Sequence, residues 1–364
     1  MRRLALALLL LTFASGAAAA PSADRLAALR RGVNLTNWFR FPASTAPSAL
    51  QTYIGDAALA DLRNAGFTFV RLAVDPAFLL GANGALDSAR LSLVIAAIGR
   101  IERQGLAVVV ELHPSNWQPE RSAADGARLL SVWRELAPAL RPFDPRLTFP
   151  EILNEPVFTA DPADWDSLQR SAAAAIRAAL PANTLVASGN DWSSVDGLLR
   201  LHPLADANIV YSFHFYEPAV LTGLGTYQAG LDAGALAALP FPVVDVAPCV
   251  ATPANAATRG AVRYYCGGQW DASRVAARIA LASGWGQRHG VPVIAGEFGA
   301  LQQLNAPARL AWLRAVRQAC EANGLGWALW GYEDGFGFAV PRPPGDRPRL
   351  DPTILAALGL HSPP

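Results

Sequence analysis

The chain has 364 residues, 52% of them hydrophobic and 16% charged, with 30 glycines and 28 prolines. So apolar a chain does not stay unfolded as a polyelectrolyte, and its length suits two ordinary domains or one large barrel. Its 30 basic residues, all arginine and never in a run, face 29 acidic ones. That balance excludes the electrostatic footprint of a nucleic-acid or anionic-membrane binder and leaves a neutral or small polar partner.

Residues 1–20 read as a secretory signal: Arg2 and Arg3, the apolar run Leu4 to Phe13, then Ala18, Ala19 and Ala20 before Pro21. A run of about ten residues is too short to cross a bilayer, which takes roughly 20. Cleavage near Ala20 and export by the general route, to the periplasm or the medium, are expected. Loss of Arg2 and Arg3 then leaves one acidic residue in excess. No later segment is apolar and long enough to span a membrane.

Eight short apolar or β-branched runs follow, at 32–37, 68–74, 107–113, 148–154, 184–190, 209–216, 292–298 and 325–330. Helical patterns at 56–65, 88–104, 163–179, 272–288 and 307–322 lie between them. Several stop at a glycine (Gly66, Gly105, Gly324), and one opens at Asp161-Pro162, a cap with a first-turn proline. Strand and helix alternating eight times predicts parallel strands joined by helical crossovers and closed on themselves: an α/β protein with a (β/α)8 TIM barrel, one domain over 21–364. An open doubly wound sheet is disfavoured because no Gly-x-Gly-x-x-Gly follows the first strand.

The rhythm breaks once, in a long loop at about 217–270 that carries Tyr227, Tyr264, Tyr265, Trp270 and two of the three cysteines. Long loops in compact domains are usually functional, so it reads either as a wall of a binding cleft or as a stabilising surface elaboration. In an oxidising compartment Cys249 and Cys266 could close a loop, leaving Cys320 as a buried thiol in a helix. The five histidines are scattered, and no Cys or His cluster has ligand spacing, so a metal centre is not expected.

The active site of such a barrel lies at the carboxyl ends of its strands. Arg71, His113, Asn154 with Glu155, His214 with Tyr216, Glu297 and Trp330 all occupy that place. Burying a charge costs several kcal/mol unless it is paired, so each says more than a surface charge, although Arg71 alone could merely neutralise Asp75 and His113 could be a satisfied core histidine. Glu155 and Glu297 close two hydrophobic strands that should face each other across the barrel mouth. Glycosidic bonds break by protonating the leaving oxygen while a second carboxylate attacks or stabilises the sugar carbon. Among ten tryptophans, Trp38, Trp117, Trp192, Trp270 and Trp330 fall near strand ends or in loops, where indoles suit the flat faces of sugars. Asn34-Leu-Thr36 matches a glycosylation acceptor but sits in the first strand, and is read as chance.

Taken in strand order, Arg31-Gly-Val-Asn-Leu-Thr-Asn-Trp38, Val70-Arg-Leu72, Leu112-His113, Leu153-Asn-Glu-Pro156, His214-Phe-Tyr216, Gly296-Glu-Phe-Gly299 and Ala328-Leu-Trp-Gly331 resemble glycoside hydrolase family 5, the cellulase-like family. The resemblance implies a retaining hydrolase without cofactors in which Glu155 is the acid/base and Glu297 the nucleophile. By it, Arg71 and Tyr216 hold Glu297, Asn154 binds the sugar 2-hydroxyl, His113 and His214 line the reacting subsite, and Trp330 stacks under a ring. Trp38 and Trp117 are added as substrate contacts. One departure is Glu111, where the family pattern leads one to expect aspartate. The expected substrate is a β-linked polysaccharide, foremost a β-1,4-glucan cut internally, and the expected state is a monomer. A β-mannanase, an exo-β-glucosidase and a sugar-binding barrel without catalysis are the alternatives. An esterase is disfavoured because no Gly-x-Ser-x-Gly elbow is present.

Overall fold

A computed structural model describes residues 19–226, 228–340 and 347–363. Tyr227 and all but the last two residues of the expected leader lie outside the described residues. Eight parallel strands, β1 (Arg31–Phe39), β2 (Phe69–Val74), β3 (Ala107–Leu112), β4 (Thr148–Glu151), β5 (Leu185–Ser188), β6 (Ile209–Phe215), β7 (Val293–Phe298) and β8 (Gly326–Leu329), pair in sequence order and close as β8 meets β1. Each lies within a few residues of a run read from the sequence, and the expected helices form at Asp56–Ala65, Ser88–Arg103, Pro162–Ala179, Ala272–His289 and Ala306–Ala322. The (β/α)8 barrel is therefore as expected. No helix among the described residues is long and apolar enough to cross a membrane.

Strand alternation builds the interior in layers. The floor is a cluster of Phe69, Val109, Phe149, Val186, Val210 and Ile294, all buried. Phe69 fills the axis so closely that a Cβ on Gly32 would meet its ring at 2.3 Å, so β1 passes there only as glycine. Two residues further along the same strands stand Arg71, Glu111, Glu151, Ser188 and Ser212, all buried. A polar storey thus rests on an apolar one. The residues between, such as Val70, Leu72, Val108 and Val110, face outward into the larger core shared with the helices.

β7 breaks this alternation. Phe213 pairs with Ala295 and His214 with Glu297, so one extra residue of β7 bulges between them. Gly296 is that residue, and a Cβ on it would meet Ser212 Oγ at 2.2 Å. A bulge re-aims the side chain that follows it, and Glu297 consequently turns inward where strict alternation would send it toward the helices.

The segment expected as a long loop at 217–270 instead contains four short helices, Ala219–Thr222, Ala233–Ala237, Val246–Val250 and Ala256–Gly267. Asp232, Asp245 and Asn255 cap three of them by accepting from backbone N–H groups one turn in. Alanine-rich stretches between caps form helices too short to leave a clear periodic signal. Cys249 and Cys266 are paired, joining the last two helices, and Cys320 is free and buried. The disulfide spans 17 residues of sequence. Closing a loop of that size should stabilise the native state by about 3 kcal/mol through the unfolded chain. Cys249→Ser with Cys266→Ser should accordingly lower the denaturant midpoint by a matching amount, and an unchanged midpoint would mean that the crosslink constrains nothing.

Candidate active site

The site grows from Arg71, at the centre of β2 and only 1% exposed. Its five N–H groups all find acceptors. Nε and Nη2 hold Glu151 by two bonds of 2.7 Å, and Nη2 also reaches Asn154 Oδ1 at 2.9 Å. Nη1 reaches Asn34 Oδ1 at 2.9 Å and Glu297 Oε1 at 2.5 Å. Glu111 Oε1 lies 3.6 Å from Nη1. Asn34 in turn donates to the carbonyls of Gly296 and Leu329, so it is buried and committed, and its glycosylation motif is indeed incidental.

A second chain of bonds fixes the histidines. Asn154 Nδ2 donates to His113 Nε2 at 3.1 Å, and His113 Nδ1 faces Glu111 Oε1 at 2.8 Å. Since Nε2 accepts, Nδ1 carries the proton. His214 Nδ1 lies 2.9 Å from Glu155 Oε1 and 3.3 Å from Glu297 Oε2. Tyr216 donates its hydroxyl to Glu297 Oε2 at 2.9 Å. Glu297 is buried, whereas the Glu155 side chain keeps 29% of its surface open at the cavity. Glu155 has φ 42°, in the left-handed region that a residue with a Cβ rarely occupies. A carboxylate oxygen of each glutamate and a ring nitrogen of His214 lie within 4.8 Å of one another. Among the described residues this is the one trio that could ligate a metal, and it coincides with the paired glutamates.

Burial sets the electrostatics. It holds both histidines neutral, His113 down at about 3 and His214 at about 4, and raises the Tyr216 phenol so that it remains a donor. Burial also pushes Glu111, Glu155 and Glu297 up to about 7, opposed by Arg71. Several carboxyl groups thus share one buried guanidinium. Glu297 has the stronger support for its anion, a guanidinium and a phenol in direct contact, so it ionises ahead of Glu155.

These residues open into a cavity of about 860 Å3. His113, Glu155, Tyr216, Glu297 and Trp330 line it together, with the Trp330 and His113 rings 5.6 Å apart. Arg71 and Asn154 sit beneath, and His214 bridges the two glutamates from the side. Two expected substrate contacts do not join them. Trp38 is 1% exposed and donates to the Leu50 carbonyl at 2.7 Å, a core residue whose indole turned outward from β1. Trp117 packs half-buried against the core under Arg128 and does not line the cavity. Trp270 is likewise buried, whereas Trp192 is 55% exposed and does line it.

Thr36 within β1, Arg40 and Phe41 just after it and Phe336 after β8 are also on the cavity wall, none of them marked as a site residue by the sequence. Asp334, beyond the end of β8, caps a loop and lines the cavity at once: Thr36 Oγ1 donates to it at 2.8 Å and so does the Phe336 N–H. Among the described residues of the 217–270 segment, only some near its start, between Ala219 and Thr226 and at Gln228, reach the cavity. Tyr265 is buried under Pro240 and Tyr264 faces away with 75% exposure. The segment is therefore part wall and part elaboration. Glu151 escaped notice too, although period-two alternation from Phe149 places it inside the barrel. Trp192 stands in a run of three left-handed residues, Asp191, Trp192 and Ser193, with φ of 62°, 55° and 52°. The Ser193 carbonyl accepting from His214 N–H at 2.7 Å and the Trp192 N–H donating to the Pro156 carbonyl at 3.2 Å hold that turn.

A closed (β/α)8 barrel with two carboxyl groups converging at the ends of its fourth and seventh strands is the framework of a glycoside hydrolase. The model of the cellulase family, glycosyl hydrolase family 5, matches residues 30–335. The chain belongs to that family. It is 28% identical to Endoglucanase 3 of Fibrobacter succinogenes over 85% of its own length and 50% of that protein's, so it spans about half of that relative. Cellodextrinase A of Ruminococcus flavefaciens is 19% identical, with 81% of this chain and 83% of that one covered. Endoglucanase Cel5A from Thermotoga maritima superposes with a TM-score of 0.74 at 22% identity, covering 92% of this chain and 98% of the other, which establishes a shared fold.

The raised glutamates make stability depend on pH. Between 4.5, where an unfolded glutamate titrates, and about 7, these three glutamates bind more protons in the native chain than in the unfolded one, so their contribution to stability falls as pH rises through that interval, opposed below 6.5 by His113 and His214, which are neutral in the fold. The thermal midpoint should decline across it, and Glu111→Gln should make the decline shallower. An identical slope in that variant would exclude Glu111 as a contributor.

Proposed function

We propose that this chain is an exported, retaining endo-β-1,4-glucanase in which Glu155 is the general acid/base and Glu297 the nucleophile. The observation that carries the reading is the approach of the two carboxylates within 4.8 Å. Double displacement works with carboxyl groups roughly 5 Å apart, whereas inversion needs about 6.5–9.5 Å to admit a water. Glu297, ionised beside Arg71 and Tyr216, attacks the anomeric carbon while protonated Glu155 delivers its proton to the leaving glycosidic oxygen. The ester formed on Glu297 has no charge, so the field on Glu155 weakens and it ionises. It then takes a proton from the incoming water, which attacks the same carbon and releases Glu297 as a carboxylate. His214 Nδ1–H can shift its bond between the two glutamates as charge moves from one to the other. Asn154, locked by Arg71 and His113, keeps an amide hydrogen for a sugar hydroxyl, and the Trp330 indole offers an apolar face to a pyranose.

Export is supported by the leader pattern at 1–20 and by the Cys249–Cys266 pair, which suits an oxidising compartment. A β-1,4-glucan is supported by the endoglucanase name of the Fibrobacter relative and by the Cel5A complex with cellobiose. The second reading, a mannan, is favoured by the Cel5A complex with mannotriose.

Incubation with carboxymethyl cellulose, mixed-linkage glucan, mannan and xylan should give mixed oligosaccharides from the glucans, and release of only one small sugar would mean an exo mode. Proton NMR should find the β-anomer first at the new reducing end, while initial α-anomer would refute retention. Glu155→Gln should lower turnover by about 10²–10⁴-fold, the worth of a general acid/base, and Glu297→Gln by at least as much, with both proteins folded. Normal hydrolysis by Glu297→Gln would overturn the assignment. The rate should fall on the acid side as Glu297 is protonated and on the basic side as Glu155 deprotonates, and Glu155→Gln should lose the basic limb.

A further inference from the structure

Arg40 stands between two cavities. It lines the main one beside Phe41 and His113, and it also lines a second of about 320 Å3 at the ends of β1 and β2, which Arg90 lines as well. The Arg40 side chain is 10% exposed. Its Nη1 donates to Ser115 Oγ and its Nη2 to the Pro114 carbonyl, while Nε is buried with no partner. In the same pocket, exposed Arg90 donates to the carbonyls of Phe78 and Leu80 and makes no ion pair among the described residues.

One carboxylate, Asp75, faces these two guanidinium groups. It lies 4.0 Å from Arg40 Nη1, and its oxygens are already engaged, Oδ1 by the Ala77 N–H and Oδ2 by Ser115. The second pocket therefore keeps a net positive charge, two arginines against one carboxylate, beside a main cavity whose charged lining apart from Arg40 is Glu155, Glu297 and Asp334. A neutral sugar offers such a group only hydroxyl acceptors, whereas a carboxylate adds the pairing of opposite charges and matches the planar fork of a guanidinium.

We infer that this second pocket binds a carboxylate carried by the sugar chain, a uronic residue or an acidic substituent, so that the preferred substrate is an acidic β-glucan threaded from the Arg40–Arg90 pocket into the main cavity. This rests on the reading of the main cavity as a β-glucan hydrolase.

The test compares kcat/KM on carboxymethyl and hydroxyethyl glucan for the wild type and Arg90→Met, with calorimetric binding of a glucuronate-ended cello-oligosaccharide and its neutral counterpart. Arg90→Met should lose about three- to fivefold on the anionic substrate, the worth of a partly exposed ion pair, and stay within about twofold on the neutral one. The wild-type preference for the acid-bearing chain should also shrink as sodium chloride rises from about 0.05 to 0.5 M, a readout that needs no variant. Equal rates on both substrates at low salt, or a loss in Arg90→Met shared equally by both, would overturn the inference. Were the wild type to hydrolyse neither polymer, the hydrolase reading would fail. Calorimetry would still decide this one, with tighter binding of the glucuronate-ended chain supporting it and equal binding refuting it.

Discussion

The whole upper half of the barrel depends on one buried guanidinium. Arg71 uses every donor it has, and its acceptors come from β1, β4, the turn after β4 and β7. Removing such a partner would leave several carboxyl groups buried without compensation, the costly case for a buried ion pair. The same bonds that satisfy the charge also orient the chemistry. Glu297 is held by one oxygen, and Asn154 is held by its carbonyl, which leaves its amide to fix the tautomer of His113. Folding and positioning are one interaction here, because neither half of the pairing survives alone in that interior.

A deliberate imbalance follows. Beside the Glu151–Arg71 pair, Glu111, Glu155 and Glu297 share the same guanidinium's field, and burial holds these three above the usual carboxylate range. Direct contact separates them: Glu297 has Arg71 and Tyr216, while Glu155 has neutral His214 and an opening to the cavity. An acid that keeps its proton beside a base that has lost its own is the condition the proposed reaction needs, and it arises from unequal hydrogen bonding in a shared low-dielectric pocket.

Much of this was legible in the sequence because barrel strands obey simple rules. A polar residue ending an apolar run is conspicuous, and Arg71, His113, Asn154, Glu155, His214, Tyr216, Glu297 and Trp330 were all found that way and all converge at one mouth. The method failed where position along a strand does not fix direction. Trp38 ends a strand but points outward. Glu297 points inward only because β7 bulges at Gly296, so its place at a strand end marked it out while its direction followed from no alternation rule. Glu151 and Asn34 lie within strands, where a polar letter in an apolar run looks like noise until its partner across the barrel is known. Arg40, Phe41 and Phe336 are on loops, whose course the local sequence does not dictate, and Trp117 is beside one yet folds back on the core.

The left-handed turn at Asp191–Trp192–Ser193 has a thermodynamic consequence. Three successive residues with side chains hold a conformation that an unrestrained chain would seldom visit, and backbone bonds to Pro156 and His214 keep them there. The entropy of arranging this rim is surrendered when the protein folds, before any ligand arrives. An indole that is 55% open to solvent on a backbone so anchored has only its two side-chain torsions left to order, so a flat ring docking on it forfeits less freedom than it would on a mobile loop.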